Sequence, residues 1–237
     1  MRLDKFISNM TAQSRSEAVI SVYRNRVTVN GKIKKDPSIK VDTEKDEVCL
    51  DGQKIEYEEF VYFLLNKPAG YVSATEDKKY KTVTQLIETS RDIAPVGRLD
   101  IDTEGLLLLT DDGKLAHQLI SPKKHVDKVY YAELDGPVTE DMIKGFEEGV
   151  DYGEDKPSLP GKLSSVTDKE IIIRYGHEDT KYAALVTIHE GKFHQVKRMF
   201  EAFSVNVKYL KRISMGKLSL PEDLKVGEYI KIKREDI

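Results

Sequence analysis

The stretch Gly97–Thr110, Gly-Arg-Leu-Asp-Ile-Asp-Thr-Glu-Gly-Leu-Leu-Leu-Leu-Thr, constrains this chain more than any other. Leu106-Leu107-Leu108-Leu109 is a short apolar run stopped by the turn signal Asp111-Asp112-Gly113. Four apolar residues between turn signals predict a strand buried on both faces. The half before it carries Arg98, Asp100, Asp102 and Glu104 between Gly97 and Gly105. A polar, glycine-hinged loop feeding a buried strand suits chemistry, because the strand fixes the loop. The plainer reading is a turn whose charges are merely solvated, the common fate of Asp and Gly in such loops.

Length bounds the rest. At 237 residues the chain makes one large or two modest domains, with 39% hydrophobic residues to build a core. The single cysteine, Cys49, excludes an internal disulfide and fits a reducing cytoplasm. No apolar run approaches the roughly 20 residues of a membrane helix, and Arg2, Asp4 and Lys5 interrupt any signal-peptide core. The net charge of −3 does not itself point to nucleic acid, but its distribution does. Residues 1–41 carry +6 and the remainder −9. A basic end on an acidic body fits a dedicated polyanion-binding module. A solvated charged face is the simpler alternative.

Along the chain, Leu3, Phe6, Ile7 and Met10 have helical spacing. Ser14 with Glu17 three residues on predicts a capping box before a second helix through Ala18, Val19 and Val22. Val27-Thr28-Val29 predicts a strand, and Asn30-Gly31 a tight hairpin turn. Val48–Leu50 is a short strand signal before Asp51-Gly52. A domain junction is expected near residues 50–60. Val61–Leu65 predicts a strand ended by a turn at Asn66-Lys67-Pro68-Ala69-Gly70. Further on, helices are expected over 114–120, 139–146 and 194–203, and strands over 128–134, 171–173, 184–188, 205–213 and 226–232. The fold class is α+β, with mostly antiparallel strands.

Three groups of residues carry a resemblance. Gly97-Arg98-Leu99-Asp100-x-x-Thr103-x-Gly105-Leu106-Leu107 resembles the catalytic motif of the pseudouridine synthases, most closely the RsuA-type, small-subunit rRNA branch. Lys128-x-Tyr130 and Glu190-Gly191-Lys192-Phe193-His194-Gln195-Val196-Lys197-Arg198-Met199-Phe200 are similar to the other two site motifs, and Leu65-Asn66-Lys67-Pro68-x-Gly70 to the family's opening strand and loop. The N-terminal segment, Arg-Leu-Asp-Lys-Phe-Ile through Arg26-Val27-Thr28-Val29-Asn30-Gly31, resembles the S4 RNA-binding domain.

The resemblance implies a small S4-like (αL) domain over residues 1–48, a linker over 49–59, and a pseudouridine synthase catalytic domain over 60–237. It implies that Asp100 is the essential carboxylate and that Tyr130, not its neighbour Tyr131, faces the target base. It puts the basic partner of Asp100 at Lys197, where many relatives have arginine. A lysine supplies the charge without the bidentate fork. Arg98 and Arg198 are expected near the substrate RNA. Arg15, Arg24, Arg26 and Lys32 are the matching RNA contacts of the S4-like domain, acting chiefly on phosphates. His194 receives no catalytic role.

The implied reaction isomerises a uridine of 16S rRNA, with the base taken out of its stack. It needs no cofactor and no metal. This agrees with histidines and a cysteine that show no ligand spacing, and with missing nucleotide-binding glycine motifs. The expected partner is ribosomal RNA, in an assembly intermediate, met by a monomer in the cytoplasm away from any membrane. A large-subunit (23S) rRNA enzyme of the same branch and a non-catalytic assembly factor are the alternatives. A polysaccharide enzyme using Asp100 and Asp102 is a third, disfavoured by the basic N-terminus.

Overall fold

Leu3, Phe6 and Ile7 form the buried face of the first helix, α1 (Leu3–Met10), in a computed structural model that describes residues 1–121 and 124–237. A second helix, α2 (Arg15–Tyr23), starts at the expected capping box. Ser14 accepts from the Glu17 N–H, and the Glu17 carboxylate accepts from the Ser14 N–H at 2.7 Å. Strand β1 (Val27–Val29) turns at Asn30-Gly31 into β2 (Lys32–Ile33). Strand β3 (Val48–Leu50) turns at Asp51-Gly52 into β4 (Gln53–Lys54). The sheet runs β2-β1-β3-β4, and Val27, Val29 and Val48 press against Leu3, Phe6 and Ile7. Residues 49–59 do not form a bare linker. Cys49 and Leu50 complete β3, and Ile55 and Tyr57 pack on this core, the Tyr57 ring stacking on Phe6 at 6.0 Å. The unit so formed comprises Met1–Val61 with Ile87–Asp92.

The other unit, Tyr62–Leu86 with Ile93–Ile237, is built on one mixed sheet. Its early strands are β5 (Tyr62–Lys67), β6 (Tyr71–Val72), β7 (Lys81–Thr82), β8 (Ala94–Pro95) and β9 (Glu104–Thr110). Helix α3 (Gly113–Ile120) and strand β10 (Lys128–Leu134) follow, then α4 (Glu140–Glu148), β11 (Lys162–Val166) and α5 (Lys169–Tyr175). The chain closes with β12 (Ala183–Ile188), α6 (Gln195–Glu201), β13 (Val207–Met215), β14 (Leu218–Ser219) and β15 (Tyr229–Ile232). The main sheet is ordered β11-β12-β10-β13-β9-β5-β15, with β14 on β13 and β8 on β9. Most pairs are antiparallel, but β9 runs parallel to β13 at its centre. The expected leucine strand is fully buried there, Leu106 to Leu109 all at 0% exposure.

Two expectations are corrected. The strand after Val61 continues through Asn66 and Lys67, which were read as turn residues. Both can be buried because each finds backbone partners: Asn66 Nδ2 donates to the Leu224 carbonyl at 2.8 Å, and the Lys67 ammonium reaches several carbonyls. Ile171-Ile172-Ile173 is helical, not extended. Asp168 caps the helix by accepting from the Glu170 N–H, and Gly176 ends it. A Cβ on Gly176 would lie 2.4 Å from the Tyr131 ring and 2.1 Å from the Glu133 carboxylate, so only glycine lets α5 dock so closely. Cap and docking outweigh the β-preference of a branched run. Only Ile172 of the three is buried, in a cluster with Tyr131, Val166 and Ala183.

Candidate active site

The loop before β9 is held from beneath. Gly105 has φ +100°, and a Cβ there would lie 2.2 Å from the Arg212 carbonyl oxygen on β13. Glycine is therefore required for the parallel pairing that starts β9 and ends the loop. The Thr103 N–H donates to the Asp100 carbonyl at 3.1 Å, closing a turn. Segment 67–73 clasps this turn through three residues. The fully buried Lys67 ammonium donates to the carbonyls of Thr103 at 2.8 Å, Asp100 at 3.1 Å and Ile101 at 3.4 Å. The Gly70 N–H donates to Ile101 O at 2.7 Å. Ser73 Oγ donates to Leu99 O and accepts from Leu99 N–H, each at 3.0 Å. Burial pushes the Lys67 ammonium down to about 8, against the upward pull of Glu104, Asp102 and Asp100.

The loop presents Asp100 at a solvent-open cleft lined by Arg98, Leu99, Thr103, Tyr130, His194 and Val196, among others. The Asp100 carboxylate is one-quarter exposed. Lys197, on α6, lies 3.6 Å from Asp100 and only 2.6 Å from Asp102. Ion-pair reach to Asp100 is thus as expected, but the shorter contact goes to the second carboxylate. Burial raises the Asp102 carboxyl, and the hydrogen bond and charge of Lys197 more than reverse this, leaving it below its ordinary range. His194 adds an imidazole nitrogen 3.7 Å from Asp100. Tyr130 lines the cleft at 7% exposure. Tyr131 points to the other face of the sheet, packed near Tyr175 and Tyr209, as strand alternation requires.

The remaining nominated residues divide. Arg98 is exposed at the cleft and has no side-chain partner among the described residues. Arg198 turns away from Asp100. It pairs with Glu154, donates to Tyr152 O at 3.1 Å and lies over the Tyr152 ring at 5.0 Å. In the N-terminal unit, Arg24 and Lys32 are exposed and unpaired among the described residues. Arg26 is committed to Asp51 at 2.5 Å, and Arg15 shares the buried Asp4 with Arg2.

The residue-by-residue reading missed three side chains. Lys67 and Ser73 position the loop, and Arg212, opposite Tyr130 in register, is 2% exposed with no carboxylate partner among the described residues. Its Nε donates to Leu106 O at 2.8 Å, leaving one terminal nitrogen unpaired among the described residues. The Leu-Asn-Lys-Pro-x-Gly wording was the available signal for Lys67, but a lysine before proline and glycine reads as a turn. Among the described residues, no cluster of three or more His, Cys, Asp or Glu could hold a metal, and no helix is long and apolar enough to cross a membrane.

A sheet-borne loop thus brings a carboxylate, a cation and an aromatic ring together at an open cleft. Residues 61–202 match the RNA pseudouridylate synthase family, and residues 1–48 match the S4 domain. The chain belongs to the pseudouridine synthase family, in the form that carries an N-terminal S4 domain. It is 41% identical over 240 residues to an uncharacterized RNA pseudouridine synthase, YtzG, of Bacillus subtilis, covering all of this chain and 97% of that one. It is 38% identical over 241 residues to ribosomal small subunit pseudouridine synthase A of Haemophilus influenzae, covering all of this chain and 98% of the relative. A crystal structure of a pseudouridylate synthase superposes with a TM-score of 0.66 at 37% identity, over all of this chain and 97% of that one.

Proposed function

We propose that this chain isomerises one uridine of small-subunit (16S) ribosomal RNA to pseudouridine in the cytoplasm, working on an assembling ribosomal particle, with Asp100 as the reacting carboxylate. The N1–C1′ bond breaks, the uracil turns, and a C5–C1′ bond forms. C5 gives up a proton and N1 gains one, so no oxidant or group donor enters. A carboxylate at this point can attack C1′ or C6, or take a proton from the sugar, and all three routes start from the same contact. Tyr130 offers a ring to a uracil that has lost its stacking. Lys197 and Arg98 supply positive charge for the flanking phosphates.

One observation carries the reading: Asp100, on a loop clasped by buried Lys67, shares a cleft with Tyr130 and lies 3.6 Å from Lys197. The choice of the small subunit is supported by full-length similarity to relatives of that name. The test maps pseudouridine in rRNA from cells lacking this gene and from cells complemented with the wild type or Asp100→Asn. One 16S position is expected to be lost, and to be restored by the wild type alone. Loss in 23S rRNA would move the activity to the large subunit. Restoration by the asparagine variant would remove Asp100 from the chemistry.

A further inference from the structure

Phe193 is 69% exposed, more than any other large apolar side chain among the described residues. The loop that carries it is not loose. The Lys192 N–H donates to Gln195 Oε1 at 2.9 Å, and Gln195 Nε2 donates to Glu190 Oε1 at 2.7 Å. Glu190 Oε1 also accepts from the Leu159 N–H at 3.0 Å, and Gln195 itself is buried. The backbone is therefore built to hold Phe193 out in water. His194 follows in the left-handed region at φ +49°, a conformation that disfavours a side chain. That turn lays the His194 ring against Phe193, centroids 3.9 Å apart and planes 15° from parallel. His194 also lines the cleft and stands 3.7 Å from Asp100. Two stacked rings thus run outward from the reacting carboxylate, and the outer face of the second is bare.

We propose that the outer face of Phe193 is a stacking platform for an RNA base beside the uridine drawn into the cleft, with His194 backing it. The inference rests on the function proposed above and names a further substrate contact of that site. A base taken out of its stack leaves a neighbour uncovered, and an aromatic ring recovers roughly ten- to a hundredfold in affinity per base covered. The occupant is a nucleobase rather than a protein side chain. The platform adjoins the cleft of an RNA-modifying enzyme, where exposed Arg98 has no side-chain partner among the described residues and can meet a flanking phosphate. A phenylalanine contributes no hydrogen bonds, so the platform reads position along the strand, not base identity.

The test uses the full chain carrying Asp100→Asn, so that bound RNA is not turned over. The probe is a single-stranded oligouridylate with one 2-aminopurine beside its central uridine, whose fluorescence is quenched by stacking. Phe193→Ala and Phe193→Leu are expected to lose most of the quenching and about tenfold in affinity, while Phe193→Trp retains both. The salt dependence should be the same in all of them, because no charge is removed. Melting temperatures should match, since Phe193 is not in a core. A leucine variant that binds and quenches like the parent would overturn the proposal, reducing Phe193 to an apolar surface. So would a parent protein that never quenches the probe. Quenching that depends on Phe193, in a protein that forms no pseudouridine in any rRNA, would sustain the platform and defeat the function proposed above.

Discussion

Lys197 stands between two carboxylates and does not serve them equally. At 2.6 Å it donates to Asp102, whose side chain is 68% exposed, and at 3.6 Å it only neighbours Asp100. An ion pair so open to water contributes little to stability, commonly about 0–1 kcal/mol. Its role is therefore local: it decides where the ammonium sits before RNA arrives. Asp102→Asn frees Lys197 for Asp100, so it should change kcat/KM by less than about tenfold and leave the melting temperature unchanged. Steady-state kinetics on a 16S fragment checks this. A loss as deep as that of Asp100→Asn would mean that both carboxylates take part in the reaction. At this scale the sequence was informative about placement: the resemblance pointed to Asp100, Tyr130 and Lys197, and the fold sets the first two in one cleft with Lys197 3.6 Å from Asp100. It was silent on the shared lysine, since Asp102 was weighed only as a turn residue or as the second carboxylate of the disfavoured polysaccharide enzyme.

The element that organises the site is the clasp of segment 67–73 on the loop before β9. Its centre is a cation with carbonyl partners, and that makes it sensitive to alkali. Lys67 is pushed down to about 8 from an unfolded value of 10.5. As pH rises through the folded value the native state gives up this proton first, so between about 8 and 10.5 the unfolded chain binds more protons. Over that window this group makes stability rise with pH, not fall. The neutral amine, however, has one donor fewer for the carbonyls of Thr103, Asp100 and Ile101. Activity should therefore decline with an apparent pKa near 8 while thermal stability does not. A pH series of kcat and of melting temperature separates the two. Lys67→Gln should lose most of the activity at every pH and abolish that limb. An alkaline limb unchanged in the glutamine variant would assign it to another group. Little of this was legible beforehand. A lysine in Asn-Lys-Pro-x-Gly has the signature of a solvated turn, and only the antiparallel pairing of β5 with β9 brings the loop's carbonyls around it. The parallel pairing of β9 with β13 was equally hidden, because a fully buried strand has no alternation from which to infer its neighbours. The Ile171–Ile173 helix went unseen for the opposite reason: its local composition argued for a strand, and the docking that decided the matter lies with Tyr131 and Glu133.

Over the whole molecule, charge is unevenly placed, and the folded N-terminal unit sorts its bases into engaged and free. Arg26 is held by Asp51, and Arg2 and Arg15 by Asp4, which is only 3% exposed. Arg2 holds the Asp4 carboxyl below its ordinary range, so this pairing supports the unit above the unfolded carboxylate pKa and is lost as pH falls. Of the four nominated RNA contacts, Arg24 and Lys32 are the two without a partner among the described residues. Replacing both by alanine should flatten the slope of log affinity against log salt by about two units for rRNA fragments, with the fold intact. Replacing Arg15 and Arg26 should flatten it less. A salt titration of the two double variants decides. The opposite order would mean that the ion pairs break on binding and that the engaged arginines are the phosphate contacts.

The order of the main sheet also has a consequence for the newborn chain. Strand β5 leaves the ribosome early in the second unit, but its outer neighbour, β15, is made long after it. The Asn66 side chain waits across 158 residues for the Leu224 carbonyl. At ordinary rates of synthesis that interval is roughly ten to thirty seconds. Throughout it, one edge of an apolar strand has no partner, the condition under which strands of different chains join. A chain ended before Tyr229 would keep every residue of the cleft and still leave that edge open permanently. It should collect in the insoluble fraction, and supplying residues 225–237 as a peptide during refolding should rescue part of it. A truncated chain that stays soluble and active would mean that β5 is protected by some other route. The enzyme would thus reach its working form only once β15 has been made, so its own production is exposed to any ribosome that stops before that strand.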